Sequence, residues 1–288
     1  MKLIRYNGGR IGLVKEDLVY DISEVIGAGS GQWPPVEMNR LIRDFATLGP
    51  AIERASATAI PVPFASVHLE TPVPWPNKLM AYPVNYHDHA TEMSSIGFAN
   101  IKGYFLKSSS SLVGASDSIV LPNLPERSVH HECELGLIIG KECRGVSVED
   151  AMDVVFGYAC LMDITIRGNE ERVMRKSYDT FTPVGPWIVT ADEVSDPKNL
   201  RMRLWVNHEL RQDANTRDLI VGLPEMVSLA SSASTLYPGD IIATGTPAGV
   251  GPIVAGDRVR IEIESVGCMT LPVVQGTLGS NFVFSRPL

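Results

Sequence analysis

Cysteine, cationic charge and long apolar runs are all scarce in this chain. Its four cysteines, Cys133, Cys143, Cys160 and Cys268, show no C-x-x-C spacing. Neither a zinc ribbon nor a disulfide framework is suggested, and a reducing cytoplasm is the expected compartment. Lys and Arg number 25 against 33 Asp and Glu, a formal charge of −8. Phosphate binding needs clustered basic residues that outweigh such acidity, so no nucleic-acid partner is expected. No segment is apolar for the ~20 residues that a spanning helix needs. The start, Met1–Tyr6, has no long apolar core or cleavage site, so neither a membrane anchor nor export is expected.

What is present is organised around His130–Lys141, which reads HHECELGLIIGK. Glu132 and Glu134 precede a run of branched apolar residues ending in glycine, the pattern of a buried strand. Side chains two apart on a strand share a face, so both carboxylates point one way and Cys133 the other. Two carboxylates held that close repel unless a positive group lies between them, and a metal ion is the simplest such group. The alternative is a pair of exposed glutamates at a strand entrance.

Around this stretch the chain is mixed α+β and mainly β. Short apolar runs flank Asn7-Gly8-Gly9, a hairpin turn, and Val36–Ala55 has helical spacing. Prolines at 61, 63, 72, 74 and 76 fix an extended connector. A small N-terminal domain over 1–70 and a larger one over 71–288 are therefore expected. Ser147 and Asp150 resemble a capping box that starts a helix through about Val155, and Pro224 opens another to about Leu236.

Several polar groups stand out. His89 and Glu92 are three apart, so on a helix they share a face and the carboxylate can orient the imidazole; a solvated helix start is the plainer reading. This polar segment follows the proline connector, and residues 85–103 are expected to form a lid. Lys107 enters a run of four serines, which is either a linker or a set of donors for an anionic ligand. Asp163 ends an apolar run, and its partner is either Arg167 or a metal shared with Glu132 and Glu134. The turn Thr244–Gly251 brings backbone amides and two hydroxyls, one of them Thr246, toward whatever fills the site, or is simply a tight strand connection.

Taken together, Asn85-Tyr86 with His89 and Glu92, Phe105-Leu106-Lys107, His131–Leu135, Asp163 with Arg167, Lys176–Phe181, Arg211-Gln212 and Pro238–Gly251 resemble the fumarylacetoacetate hydrolase family, in its bacterial acylpyruvate-hydrolase-like branch. The match runs from about Met80 to Val274. The resemblance implies a mixed β-roll catalytic domain, a homodimer, and Mg²⁺, or else Mn²⁺ or Ca²⁺, held by Glu132, Glu134 and Asp163. An all-oxygen donor set suits those hard ions better than Zn²⁺.

It further implies a hydrolase that cleaves a C–C bond in an acylpyruvate or other 2,4-dioxo acid, in catabolism of aromatic compounds or sugar acids. His89 would be the base, oriented by Glu92, and Lys176 a cation beside developing negative charge. Tyr86, Lys107, Arg167, Gln212 and Thr246 are the expected substrate-binding residues, with a supporting structural role the alternative for the last three. A decarboxylase, hydratase or isomerase using the same metal and enolate chemistry is the rival, and a protein with a purely structural ion a third reading. Pro83-Val84 stands where the family commonly has Gly-Leu or Gly-Arg, Ser108 where it has proline, and Met162 where it has asparagine. These departures bear on the substrate.

Overall fold

The computed structural model describes residues 1–28, 33–92, 99, 103–124 and 127–277. Its centre is the strand Cys133–Ile139, which is buried along its whole length. On one side it pairs antiparallel with Val155–Met162, on the other with Ile241–Ala243. From there the sheet extends through Thr182–Thr190, Lys2–Tyr6, Arg10–Lys15 and Leu18–Asp21 in one direction, and through Leu79–Ala81 to Phe105–Lys107 in the other. A five-stranded sheet, whose inner strands are Arg201–Val206, Arg258–Ile263 and Gly267–Gln275, and a three-stranded sheet, Thr165–Ile166, Val129–His131 and Gly251–Ile253, complete the fold. The chain is thus mixed α+β and mostly strand, as its alternating patterns suggest.

The pleat of the central strand separates two cores. Leu135, Leu137 and Ile139 face a cluster that holds Leu204 and Ile261 of the five-stranded sheet and Met226 of the helix Leu223–Ala233. Ile138 faces the other way, into a cluster with Leu3, Leu41 and Ile52 from the N-terminal part and Leu161 and Ile188 of the neighbouring strands. A fully buried Leu or Ile contributes about 1.5–3 kcal/mol. Anchored on both faces, the strand cannot slip by one residue without moving every side chain to the wrong side. That rigidity lets it carry glutamates beyond the apolar layer.

Asn7-Gly8-Gly9 does turn a hairpin, between Lys2–Tyr6 and Arg10–Lys15. Lys2–Tyr6 also joins Thr182–Thr190 through Lys2 opposite Val189 and Leu3 opposite Ile188, so the large sheet runs across the division expected near residue 70. Two local expectations are corrected. The helical stretch at Val36–Ala55 is two helices, Glu37–Arg43 and Phe45–Thr58, divided at Asp44. The break turns Phe45 onto Phe156, ring edge to face at 4.9 Å. Ser147 and Asp150 do make reciprocal bonds, Oγ to Oδ2 at 2.9 Å and N to Oγ at 3.1 Å. Yet only one 3-10 turn, Ala151–Val154, follows before the strand Val155–Met162 begins. Pairing of that strand on both sides overrides a local start signal.

Candidate active site

Glu132 lies in the one-residue break between Val129–His131, in the three-stranded sheet, and Cys133–Ile139, in the large one. Across from it, the Asp163 amide donates to the Glu132 carbonyl at 3.0 Å, extending the ladder whose last pair is Cys133 opposite Met162. Residues opposite one another in an antiparallel pair share a face. Glu132, Glu134 and Asp163 therefore project together while Cys133 and Met162 go to the core. One carboxylate oxygen from each of the three lies within 4.8 Å of the others, and all three residues are buried.

The loop that follows Ile241–Ala243 closes the site. It leaves beside Gly136 and returns with Gly251 opposite His131, so it brackets both glutamates. The Gly245 amide donates to Glu134 Oε2 at 2.7 Å. Gly245 has φ +95°, and a Cβ there would lie 2.6 Å from Asn85 Cβ, so both the turn and the close approach require glycine. Asn85 locks the facing segment: its Nδ2 donates to the Thr244 and Val221 carbonyls, and its Oδ1 accepts from the Val221 amide.

Two lysines meet the carboxylates. Lys176, which caps the short helix Arg172–Arg175, donates from Nζ to Glu132 Oε2 at 2.7 Å and Asp163 Oδ2 at 2.6 Å. Lys107 Nζ donates to Asp163 Oδ1 and to the Phe181 carbonyl. Burial by itself would raise the Asp163 carboxyl, but the two ammonium groups outweigh it and hold Asp163 below the usual carboxylate range. Among the described residues, no ammonium group pairs with Glu134. Burial first, then Asp163 and Glu132, push it well above the usual carboxylate range. Burial works against the Lys176 charge, yet Asp163 and Glu132 raise its pKa; burial lowers that of Lys107 despite Asp163.

Across a cavity of about 140 Å³ stands His89, on the helix His87–Glu92. Its Nδ1 lies 3.0 Å from Glu92 Oε2, while Glu92 Oε1 accepts from the Gly249 amide at 3.0 Å. Glu92 is thereby fixed, the imidazole is oriented, and Nε2 is left as the nitrogen that can take a proton. His89 lines the same cavity as Glu132, Glu134, Asp163 and Lys176. Of the segment expected to act as a lid, residues 93–98 and 100–102 lie outside the described residues.

The expected substrate-binding residues divide into two groups. Arg167, 3.7 Å from Glu132 Oε1, and Thr246 line the cavity. Tyr86, Lys107 and Gln212 do not. Tyr86 is buried with its hydroxyl on the Met202 sulfur, because its strand-like backbone bridge to Leu219 turns the ring into the core. Lys107 is fully covered behind Asp163. Gln212 accepts from the Cys133 amide at 2.9 Å and donates to Thr246 Oγ1 and the Pro247 carbonyl, so it ties the glutamate strand to the glycine loop. All three support the site from outside the cavity. Arg172 and Arg175 line the cavity and were not singled out from the sequence. Their signal was available: Arg172, Arg175 and Lys176 have the i, i+3, i+4 spacing of one helix face. Pro83 and Val84 line it too, and Val84 has φ +51°, an uncommon conformation for a β-branched residue, at the place where the family commonly keeps Gly-Leu or Gly-Arg.

The fold is that of known proteins. A family model described as fumarylacetoacetate (FAA) hydrolase C-terminal matches residues 78–274. The chain belongs to the fumarylacetoacetate hydrolase family. Among its relatives in that family is a maleylpyruvate hydrolase of Aquipseudomonas alcaligenes, 42% identical over 285 residues, or 95% of this chain and 99% of the relative. A crystal structure of maleylpyruvate hydrolase from Sphingobium sp. SYK-6, in complex with manganese(II) ion and pyruvate, is 57% identical with a TM-score of 0.89, covering 96% of this chain and 100% of that one. A 2-hydroxyhepta-2,4-diene-1,7-dioate isomerase from Mycobacterium marinum is 31% identical with a TM-score of 0.73 over 96% of this chain and 99% of that one. For this member of the family, the donor set fits a hard divalent ion: three buried carboxyl groups, no thiolate or imidazole among them, and one of them, Glu134, pushed well above the usual carboxylate range by burial and by Asp163 and Glu132.

Proposed function

We propose that this protein is a divalent-metal-dependent hydrolase that cleaves the C–C bond of an acylpyruvate or related 2,4-dioxo acid. The observation that carries this reading is that His89, held through Nδ1 by Glu92, lines the same cavity as the three carboxylates. An ion serving stability alone has no use for an oriented base beside it. Glu132, Glu134 and Asp163 would hold the ion, Mg²⁺ or Mn²⁺, with Ca²⁺ a further candidate. When bound, it supplies a Lewis acid for the carboxylate and keto oxygens of a 2-oxo acid.

The protein's own groups account for the remaining requirements. His89 takes a proton from water as the water oxygen bonds to the distal acyl carbon. The bond from that carbon to the methylene of the pyruvyl part then breaks, and its electron pair stays on the pyruvyl part, which is later protonated on carbon. One water is consumed, and a carboxylic acid and pyruvate are released. Lys176, charged and buried beside Glu132 and Asp163, stands next to the negative charge that develops. Arg167 and Thr246 offer donors to the substrate from the cavity wall. The similarity to maleylpyruvate hydrolases over nearly the full length supports hydrolysis over isomerisation.

The deciding measurement is a product assay on a panel of 2,4-dioxo acids with Mg²⁺ or Mn²⁺, oxaloacetate included. Pyruvate and the matching acid should appear in equal amounts. Brisk turnover of oxaloacetate with no cleavage of any 2,4-dioxo acid would make decarboxylase or isomerase the better name. We further place the enzyme in the cytoplasm as a homodimer formed through the larger domain, the commonest kind of symmetric assembly. Light scattering at micromolar concentration should return twice the chain mass; a single chain mass would contradict it.

A further inference from the structure

The polar groups buried behind the cavity fix what one part of its wall can donate. The strand Glu209–Asn215 is exposed or half-buried except at Gln212, whose side chain turns inward. Its pairing sets Leu204 opposite Gln212 but Trp205 opposite Leu210, so Arg211 is an extra residue, a bulge of the kind that re-aims a neighbouring side chain. The glycine loop lies directly on this strand, because a Cβ at Gly249 would collide with the Arg211 carbonyl. All four hydrogen-bonding positions of the Gln212 amide are used. Its oxygen accepts from the Cys133 amide at 2.9 Å and lies 3.2 Å from His131 Nδ1. Its nitrogen donates to Thr246 Oγ1 at 2.8 Å and to the Pro247 carbonyl at 2.9 Å. A peptide N–H only donates and a carbonyl only accepts, so the Cys133 and Pro247 contacts fix which end of the amide is which. His131 therefore carries its proton on Nδ1 and leaves Nε2 bare, and Nε2 is buried with no hydrogen-bond partner among the described residues.

Thr246 is constrained in turn. Its oxygen receives the Gln212 N–H, so the hydroxyl proton points elsewhere, and among the described residues no group accepts it. Thr246 is buried and lines the cavity, where an O–H without an acceptor is costly. The preceding residue, Gly245, holds Glu134, which places Thr246 at the carboxylate end of that cavity. Resting on the 2-oxo-acid reading above, we infer that Gln212 is a positioning residue: by donating to Thr246 Oγ1 it sets that hydroxyl as a dedicated donor to an acceptor oxygen of the bound 2-oxo acid. Gln212 acts only through Thr246.

The test uses the full-length enzyme with saturating Mg²⁺ and 2-oxobutanoate, a 2-oxo acid that cannot be cleaved, titrated by calorimetry. Cleavage of acetylpyruvate is measured alongside. Thr246→Val keeps the shape and loses the proton, so it should bind the probe about ten- to hundredfold more weakly, the loss expected for one hydrogen bond to a charged acceptor. Thr246→Ser should recover most of that affinity. Gln212→Met frees the Thr246 hydroxyl to turn away and should weaken the probe at least about fivefold, with a matching rise in KM for acetylpyruvate. The variant carrying both changes should bind the probe as Thr246→Val does, within about twofold, because both remove one interaction. Nitrogen NMR of the wild type labelled in its histidines should show His131 protonated on Nδ1, a reading that does not depend on the folding of Gln212→Met.

His131 protonated on Nε2 alone would mean that the amide is reversed, and overturns the inference. Additive losses in the double variant, or a fall in Mg²⁺ affinity that matches the fall in probe affinity, overturn it as well, since Gln212 would then only brace the ligand strand. If 2,4-dioxo acids are cleaved while Thr246→Val and Gln212→Met bind the probe like the wild type, the positioning role falls and the hydrolase stands. If the coupled loss is found but no 2,4-dioxo acid is cleaved, the positioning role stands and the hydrolase reading falls.

Discussion

Glu134→Gln is expected to remove divalent-ion binding and at least about 10³-fold of activity, a loss of some 4 kcal/mol in transition-state stabilisation, while raising the melting temperature of the metal-free protein. The two effects have one cause. Burial first, then Asp163 and Glu132, push the Glu134 carboxyl well above the usual carboxylate range, so ionising it costs more in the folded metal-free protein than in the unfolded chain. Such a group favours folding at low pH, and that contribution is lost as pH rises through the raised value. An amide never has to ionise. The variant's advantage over the wild type in chelator should therefore grow as pH rises through the range in which Glu134 ionises. Glu132→Ala and Asp163→Ala should also remove the ion, but with the opposite effect on stability. Asp163→Ala leaves Lys107 and Lys176 buried without their shared partner, at a cost of about 3–5 kcal/mol. Calorimetric titration with Mg²⁺ or Mn²⁺ and thermal melts in chelator read both quantities. Undiminished affinity in all three variants would sink the metal assignment.

His89→Ala should lower C–C hydrolysis by about 10²–10⁴-fold, the usual contribution of a positioned base. Glu92→Gln should lower it less, because a glutamine can still keep a contact with the Gly249 amide but no longer stabilises a protonated imidazole. Any decarboxylation of oxaloacetate needs the ion but no attacking water, so it should largely survive both changes and vanish with Glu132→Ala. Measuring the two reactions in one set of variants separates the base from the ion. Full hydrolysis in His89→Ala would rule out His89 as the base.

Much of the site was legible in the chain because its spacing is short-range. Glu132 and Glu134 two apart on a strand, and His89 and Glu92 three apart on a helix, are fixed relative to each other by backbone geometry alone. The hairpin at Asn7-Gly8-Gly9 and the helix near Pro224 are local in the same sense. Acid balance and the run that ends in Gly140 likewise bounded what kind of protein this is.

Other features depended on which strands met. Asp163 joins the glutamates only because its amide continues the ladder opposite Glu132, thirty-one residues earlier in the chain. The loop at Gly245 and Gly249 serves both Glu134 and Glu92 because Gly251 returns opposite His131. No local signal says that Tyr86, Lys107 and Gln212 sit behind the cavity wall while Arg172 and Arg175 face into it. Sequence spacing decides which side chains share a face of one element. Which face meets a cavity, and which is sealed by a neighbouring strand, is settled by long-range pairing and by burial of the apolar residues in between.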